Sequence, residues 1–176
     1  KDVSEFDTLD EYKADIKAKL TENASKQAEG ALDDEMAEKL AEILEAEVPE
    51  AMYEHRIADM IRDWEYRNRY AGINLDTYLK YTGLTIDQFK ESFKKPAEVQ
   101  VKLRLALEKI AEIENIEATE EELEQHYKEL SEEHKMDIEK VKSVVPADSL
   151  KVDLKIQKAF DFVRANAEIT ETEAKA

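Results

Sequence analysis

Apolar residues recur at helical spacing along most of this chain. Tyr12, Ile16 and Leu20 follow at intervals of four, and beyond Gly30 the stripe continues through Leu32, Met36, Leu40, Ile43 and Leu44. This spacing predicts one apolar line along a helix running towards Glu47. Its start is marked by Thr8 with Glu11 three residues on, the pattern in which a hydroxyl and a carboxylate each satisfy an orphan backbone N–H. An unbroken helix of about 39 residues would reach nearly 60 Å at ~1.5 Å per residue, so one end is expected to project. Gly30 weakens the interior by roughly 1 kcal/mol relative to Ala, which makes it the place for a bend or break.

Val48-Pro49-Glu50 restarts the chain, with the proline suited to a first helical turn. Tyr53, Ile57, Met60, Ile61 and Trp64 then form one face. Next comes a near-repetition: Gly72-Ile73-Asn74-Leu75-Asp76-Thr77-Tyr78 is followed by Gly83-Leu84-Thr85-Ile86-Asp87-Gln88-Phe89. Gly72 is placed to end a helix in the left-handed conformation, and Asn74 to cap a new one carrying Leu75, Tyr78 and Leu79. Gly83 ends that helix, and Thr85 caps the next with Gln88 at capping-box spacing. Thr119 with Glu122 marks a further start. The repeat therefore reads as stop–start punctuation, its glycines too far apart to cradle a phosphate.

One segment carries two periods. Val99, Val101, Leu103, Leu105 and Leu107 alternate as a half-buried strand would. The run continues into Glu108-Lys109-Ile110-Ala111-Glu112-Ile113, and its residues are good helix formers. The expectation is a helix from Pro96 to about Asn115, with apolar residues on several faces and hence a central, widely buried position. Between Glu117 and Glu139 ten acids face two lysines, with Leu123, Tyr127 and Leu130 as a narrow stripe. That predicts a solvated helix packed along one edge. A last helix follows Pro146, carrying Leu150, Leu154, Ile156, Phe160 and Val163, and the tail from Thr170 to Ala176 reads as frayed.

Composition supports an all-α fold. Three Gly and three Pro in 176 residues leave few turns, so long helices with few connections are favoured. A hydrophobic share of 42% is enough to fold despite 39% charged residues. The net charge of −17 would repel nucleic-acid phosphate and anionic lipid alike. Arg56, Arg62, Arg67 and Arg69 form the most basic surface. They are expected to pair with neighbours such as Asp59, Asp63 and Glu65 rather than to bind nucleic acid. The absence of cysteine excludes disulfides and thiol chemistry, and no apolar run is long enough for a transmembrane helix. The opening KDVSEFDTLDEY is neither a signal peptide nor a Met start, and reads as a piece of something longer.

Candidate chemistry is sparse. His55, His126 and His134 are preceded three residues earlier by Met52, Leu123 and Ser131, so the Glu-x-x-His pairs of di-iron bundles are absent, as is His-Glu-x-x-His. There is no nucleophile elbow, and nothing reads as an enzyme, a metal site or a cofactor site. The informative residues are apolar and adaptable: four Met, seven Tyr and five Phe spread over the helices. Such side chains fill cores, and they also suit binding surfaces that accept many shapes. Long helices with few turns cannot all cover one another, and uncovered apolar faces mark partner sites.

Several stretches resemble the bacterial trigger factor family of ribosome-associated chaperones. They are DVSEFDTLDEYKADI, VPEAMYEHRIADMI, the Gly72–Leu79 turn, AEVQVKLRLALEKIAEIENIEATEEEL and KAFDFVRANAEIT, in the family's order and spacing. Ala71 stands where many relatives carry Gln. The resemblance implies that residues 1–176 are a single C-terminal substrate-binding domain, an elongated helical body with projecting arms forming a cradle. It implies an ATP-independent, cofactor-free chaperone of the bacterial cytoplasm that binds unfolded and nascent polypeptides. Ribosome docking and prolyl isomerisation would belong to domains not in this chain, so it is not expected to be an enzyme. On residue type and position near the helix joints, the expected client contacts are Met52, Met60, Trp64, Tyr70, Tyr78, Tyr81, Phe89 and Phe93. The rival reading is a helical assembly module whose apolar faces bind one defined partner or, as a homodimer, a second copy.

Overall fold

The computed structural model describes residue 6 and residues 8–170. Among them are seven α-helices, one 3₁₀ turn and no strand: α1 Leu9–Ile43, α2 Glu50–Asn68, the 3₁₀ turn Arg69–Ala71, α3 Leu75–Thr82, α4 Ile86–Ile113, α5 Glu120–His134, α6 Ile138–Val144 and α7 Ala147–Asn166. The segment after Thr170, expected to fray, lies outside the described residues. The fold is all-α, as the scarcity of turn residues predicts.

The capping signals act as read. The Glu11 N–H donates to the Thr8 hydroxyl (3.2 Å) and the Thr8 N–H donates to the Glu11 carboxylate (3.1 Å). The same reciprocal pair forms at Thr85–Gln88 and Thr119–Glu122. Gly72 and Gly83 close their helices at φ 70 and 72°, a left-handed backbone that a side chain disfavours. Pro49 sits at the N-cap of α2 in extended conformation rather than inside the first turn.

α1 runs unbroken through Gly30 for 35 residues, roughly 52 Å. Gly30 faces open space, so no packing contact bends the helix there. The apolar stripe is buried only at its far end: Met36, Leu40 and Ala41 are in the core, whereas Tyr12, Ile16 and Leu20 are exposed. The first half of α1 projects. The accessible surface of 13983 Å² far exceeds the roughly 8800 Å² of a compact monomer of this mass. Elongation follows.

α4 is the hub, packing against α2, α1 and α7. It is one helix where the sequence suggested two, with Pro96 inside it. An interior proline costs about 3 kcal/mol. The burial of Phe89 before it and Ala97 and Val101 after it offsets that cost by holding both halves of the helix against the fold. One core joins Leu40, Leu107, Ala111 and Ala159 from α1, α4 and α7. Another joins Leu123, Tyr127, Val141, Leu150 and Leu154 from α5, α6 and α7. α6 has no counterpart in the sequence reading, being too short for its period to show. It is capped by Asp137, whose carboxylate accepts from the Glu139 N–H at 2.9 Å.

α5 has the expected single buried edge, Leu123 and Tyr127, and it is also tied down by charge. Lys142 and Lys158 reach Glu124 at 2.8 Å and Glu122 at 2.7 Å, and Lys151 pairs with Glu120. The Lys158 hydrogen bond, helped by the Thr119 backbone N–H, lowers the Glu122 carboxyl to about 2. Glutamate partners correspondingly raise Lys142 and Lys151.

Candidate polypeptide-binding surface

Four of the eight expected contact residues meet one another. Trp64 packs edge-on against Tyr78 (centroids 4.9 Å) and Phe89 (5.2 Å), Tyr78 lies 5.5 Å from Phe89, and Phe93 lies 5.1 Å from Phe89. These rings hold α2, α3 and α4 together. Phe89 is only 4% exposed, which corrects its expected role: it has no surface to offer a client and sits at the centre of the ring cluster. Trp64, Tyr78 and Phe93 are half-buried around it.

The two turns beside this cluster present the opposite case. Tyr70, in the 3₁₀ turn, is 89% exposed, and Tyr81, in the last turn of α3, is 93% exposed. Each precedes its left-handed glycine by two residues, where the chain is leaving its helix and no neighbour covers the ring. Tyr66 in α2 is exposed as well.

Met52 and Met60 line grooves. Met52, Val101, Leu103, Leu107 and Ile156 form the apolar part of an open groove of about 1000 Å³ between α2, α4 and α7, with His55, Arg56, Asp59, Arg104 and Asp153 among its polar lining. Sequence reading did not find this groove, because Ile156 meets α2 and α4 only through tertiary packing. Met60 lines a smaller groove of about 440 Å³ with Arg56, Asp63, Tyr66, Arg67 and Gln100. Arg56 and Gln100 belong to both and bridge them, Arg56 Nε donating to Gln100 Oε1 at 2.7 Å. A third apolar surface lies on the projecting part of α1, where Ile16 and Leu20 sit beside Lys13 and Lys17.

The arginines of α2 pair less completely than expected. Arg62 bonds Asp59, but Arg67 donates to the Asp63 backbone carbonyl at 3.3 Å and Arg56 to neutral Gln100. His55 approaches Asp59 at 3.7 Å and His126 approaches Glu129 at 3.3 Å. Among the described residues no group of three or more His, Asp or Glu is arranged to hold a metal, and no helix is long and apolar enough to cross a membrane.

The family model described as the bacterial trigger factor protein C-terminus matches residues 8–165. The chain belongs to this trigger factor family. Curated trigger factors are similar along nearly all of it. That of Clostridioides difficile is 40% identical over 172 residues, covering 96% of this chain and 40% of that protein. That of Thermoanaerobacter sp. is 38% identical, covering 98% and 41%. The chain thus spans about two-fifths of the length of these relatives. A solved structure of trigger factor domains from Thermotoga maritima covers 93% of this chain at TM-score 0.58 and 23% identity, and 98% of that chain is matched. The fold is shared.

Proposed function

We propose that this chain is the client-holding part of an ATP-independent chaperone, taking up exposed hydrophobic segments of unfolded and nascent polypeptides in the bacterial cytoplasm and keeping them from aggregating. The observation that carries this reading is the spread of exposed apolar side chains over three separate surfaces: the projecting half of α1, the tyrosines at the two turns beside the ring cluster, and the groove between α2, α4 and α7. Membership of the trigger factor family supports it.

Burying one apolar side chain contributes about 1.5–3 kcal/mol, too little on its own to hold a chain at micromolar strength. Several such contacts on one client reinforce one another through effective concentration. Met52, Met60, Tyr70 and Tyr81 are the contacts with surface to give, and Trp64, Tyr78 and Phe93 add the edges of the ring cluster. The projecting α1 and the helices of the ring cluster form the walls of a cradle. A net charge of −17 keeps the loaded protein soluble and favours basic clients at long range. Holding a client in this way requires no chemical step and no cofactor.

Dilution of a chemically unfolded, unrelated protein into buffer without ATP tests this. The chain should suppress light scattering at near-stoichiometric ratio, and a Met52→Ser, Tyr70→Ser, Tyr81→Ser variant should do so several-fold less well while keeping its helical content. Absence of suppression, with saturable binding of one folded partner instead, would replace the chaperone reading with that of an assembly module.

A further inference from the structure

The chain's six arginines divide into two groups. Arg62, Arg104 and Arg164 pair with carboxylates. Arg56, Arg67 and Arg69 form no ion pair among the described residues, although the protein holds 43 acids against 26 bases. Arg56 and Arg67 lie on one flank of α2 and line the same small groove, with Met60 and Tyr66 between them. Each spends its Nε on a neutral acceptor, the Gln100 side chain or a backbone carbonyl. Each therefore keeps its Nη donors and its full charge. A guanidinium with unspent donors matches a carboxylate in both charge and shape.

We propose that this flank is a subsite for extended polypeptide segments in which an acidic side chain stands next to an aromatic or aliphatic one. The carboxylate is taken by Arg56 or Arg67 while its apolar neighbour packs on Met60 and Tyr66. The inference rests on the client-binding reading and adds a chemical preference that the overall acidity of the chain would not suggest. Eleven positions separate the two arginines, about 16 Å along a helix, which an extended chain spans in about five residues. Arg56 and Gln100 line both this groove and the larger one, so the two lie side by side along α2, and the ligand is a side-chain carboxylate of a segment lying over them rather than a chain terminus. Asp63, in the same lining, disfavours a second acid between the two arginines and makes the site selective for spaced acids.

The test uses fluorescent ten-residue unstructured peptides, amidated at the C-terminus, with identical aromatic and aliphatic residues and Glu, Gln or Lys at two positions five apart. In anisotropy titrations at about 150 mM salt, where the long-range field of the net charge is screened, the Glu peptide should bind about tenfold more tightly than the Gln peptide, the effect of a charge-assisted hydrogen bond. The Lys peptide should bind no better than the Gln peptide. In an R56Q/R67Q variant the Glu and Gln peptides should bind with equal affinity. Equal binding of all three peptides by the unaltered chain, or a preference for Lys, overturns the subsite and leaves the client-binding reading standing. Binding of none of them overturns both.

Discussion

Phe89 and Tyr81 stand eight positions apart and do opposite work. With Phe89 at the centre of the ring cluster, Phe89→Ala should cost about 3 kcal/mol, the lower end for removing a buried aromatic ring. Trp64, the chain's one tryptophan, touches Phe89 and reports the loss directly through a lowered urea midpoint of its emission. Tyr81→Ser should shift that midpoint by less than about 0.5 kcal/mol, as an exposed site does, while weakening client binding. A sequence cannot separate these two residues. Both are aromatics beside a helix joint, and only the return of α4 against α2 decides which ring is covered. The glycines are the contrary case: Gly72 and Gly83 were legible because a left-handed helix end is a local requirement of the backbone.

At the scale of the element, helix starts were readable wherever the cap is local. Thr8–Glu11, Thr85–Gln88 and Thr119–Glu122 all close within three residues. Pro96 misled because its penalty is local while the burial that offsets it is tertiary. Glu122 shows both sides: its capping role is in the sequence, and its partner Lys158 is 36 residues away. That lysine foremost, then the Thr119 N–H, holds the Glu122 carboxyl at about 2 against an ordinary 4.5. A depressed carboxyl contributes stability that is present above its unfolded pKa and lost as the pH falls through its folded one. Glu122→Gln should therefore lower the melting temperature at pH 7 and make little difference at pH 2. The gap between variant and parent should close between pH 4.5 and 2. Thermal melts across that range check it, and a gap that persists at pH 2 would place the contribution of Glu122 in packing rather than charge.

For the whole molecule, the sequence announced an all-α chain too long in its first helix to be compact, and the exposed surface bears this out. What it could not announce is how the buried seams are shared: α4 packs against α2, α1 and α7 and meets α3 through Phe89 and Tyr78, while α1 is buried only towards its C-terminal end. A helical stretch with no tertiary cover is marginally stable. Amides of residues 10–28 should exchange with solvent orders of magnitude faster than those of residues 97–111, as read by hydrogen-exchange mass spectrometry at neutral pH. Equal protection would mean that a second copy covers α1 in solution. The central claim is that these uncovered apolar surfaces exist to hold unfolded chains. The most direct measurement is the affinity of this chain for one protein in two states, its native form and a permanently unfolded variant of the same composition. Micromolar binding of the unfolded form with none of the native form is the predicted result, and equal or exclusive binding of the native form would contradict the account.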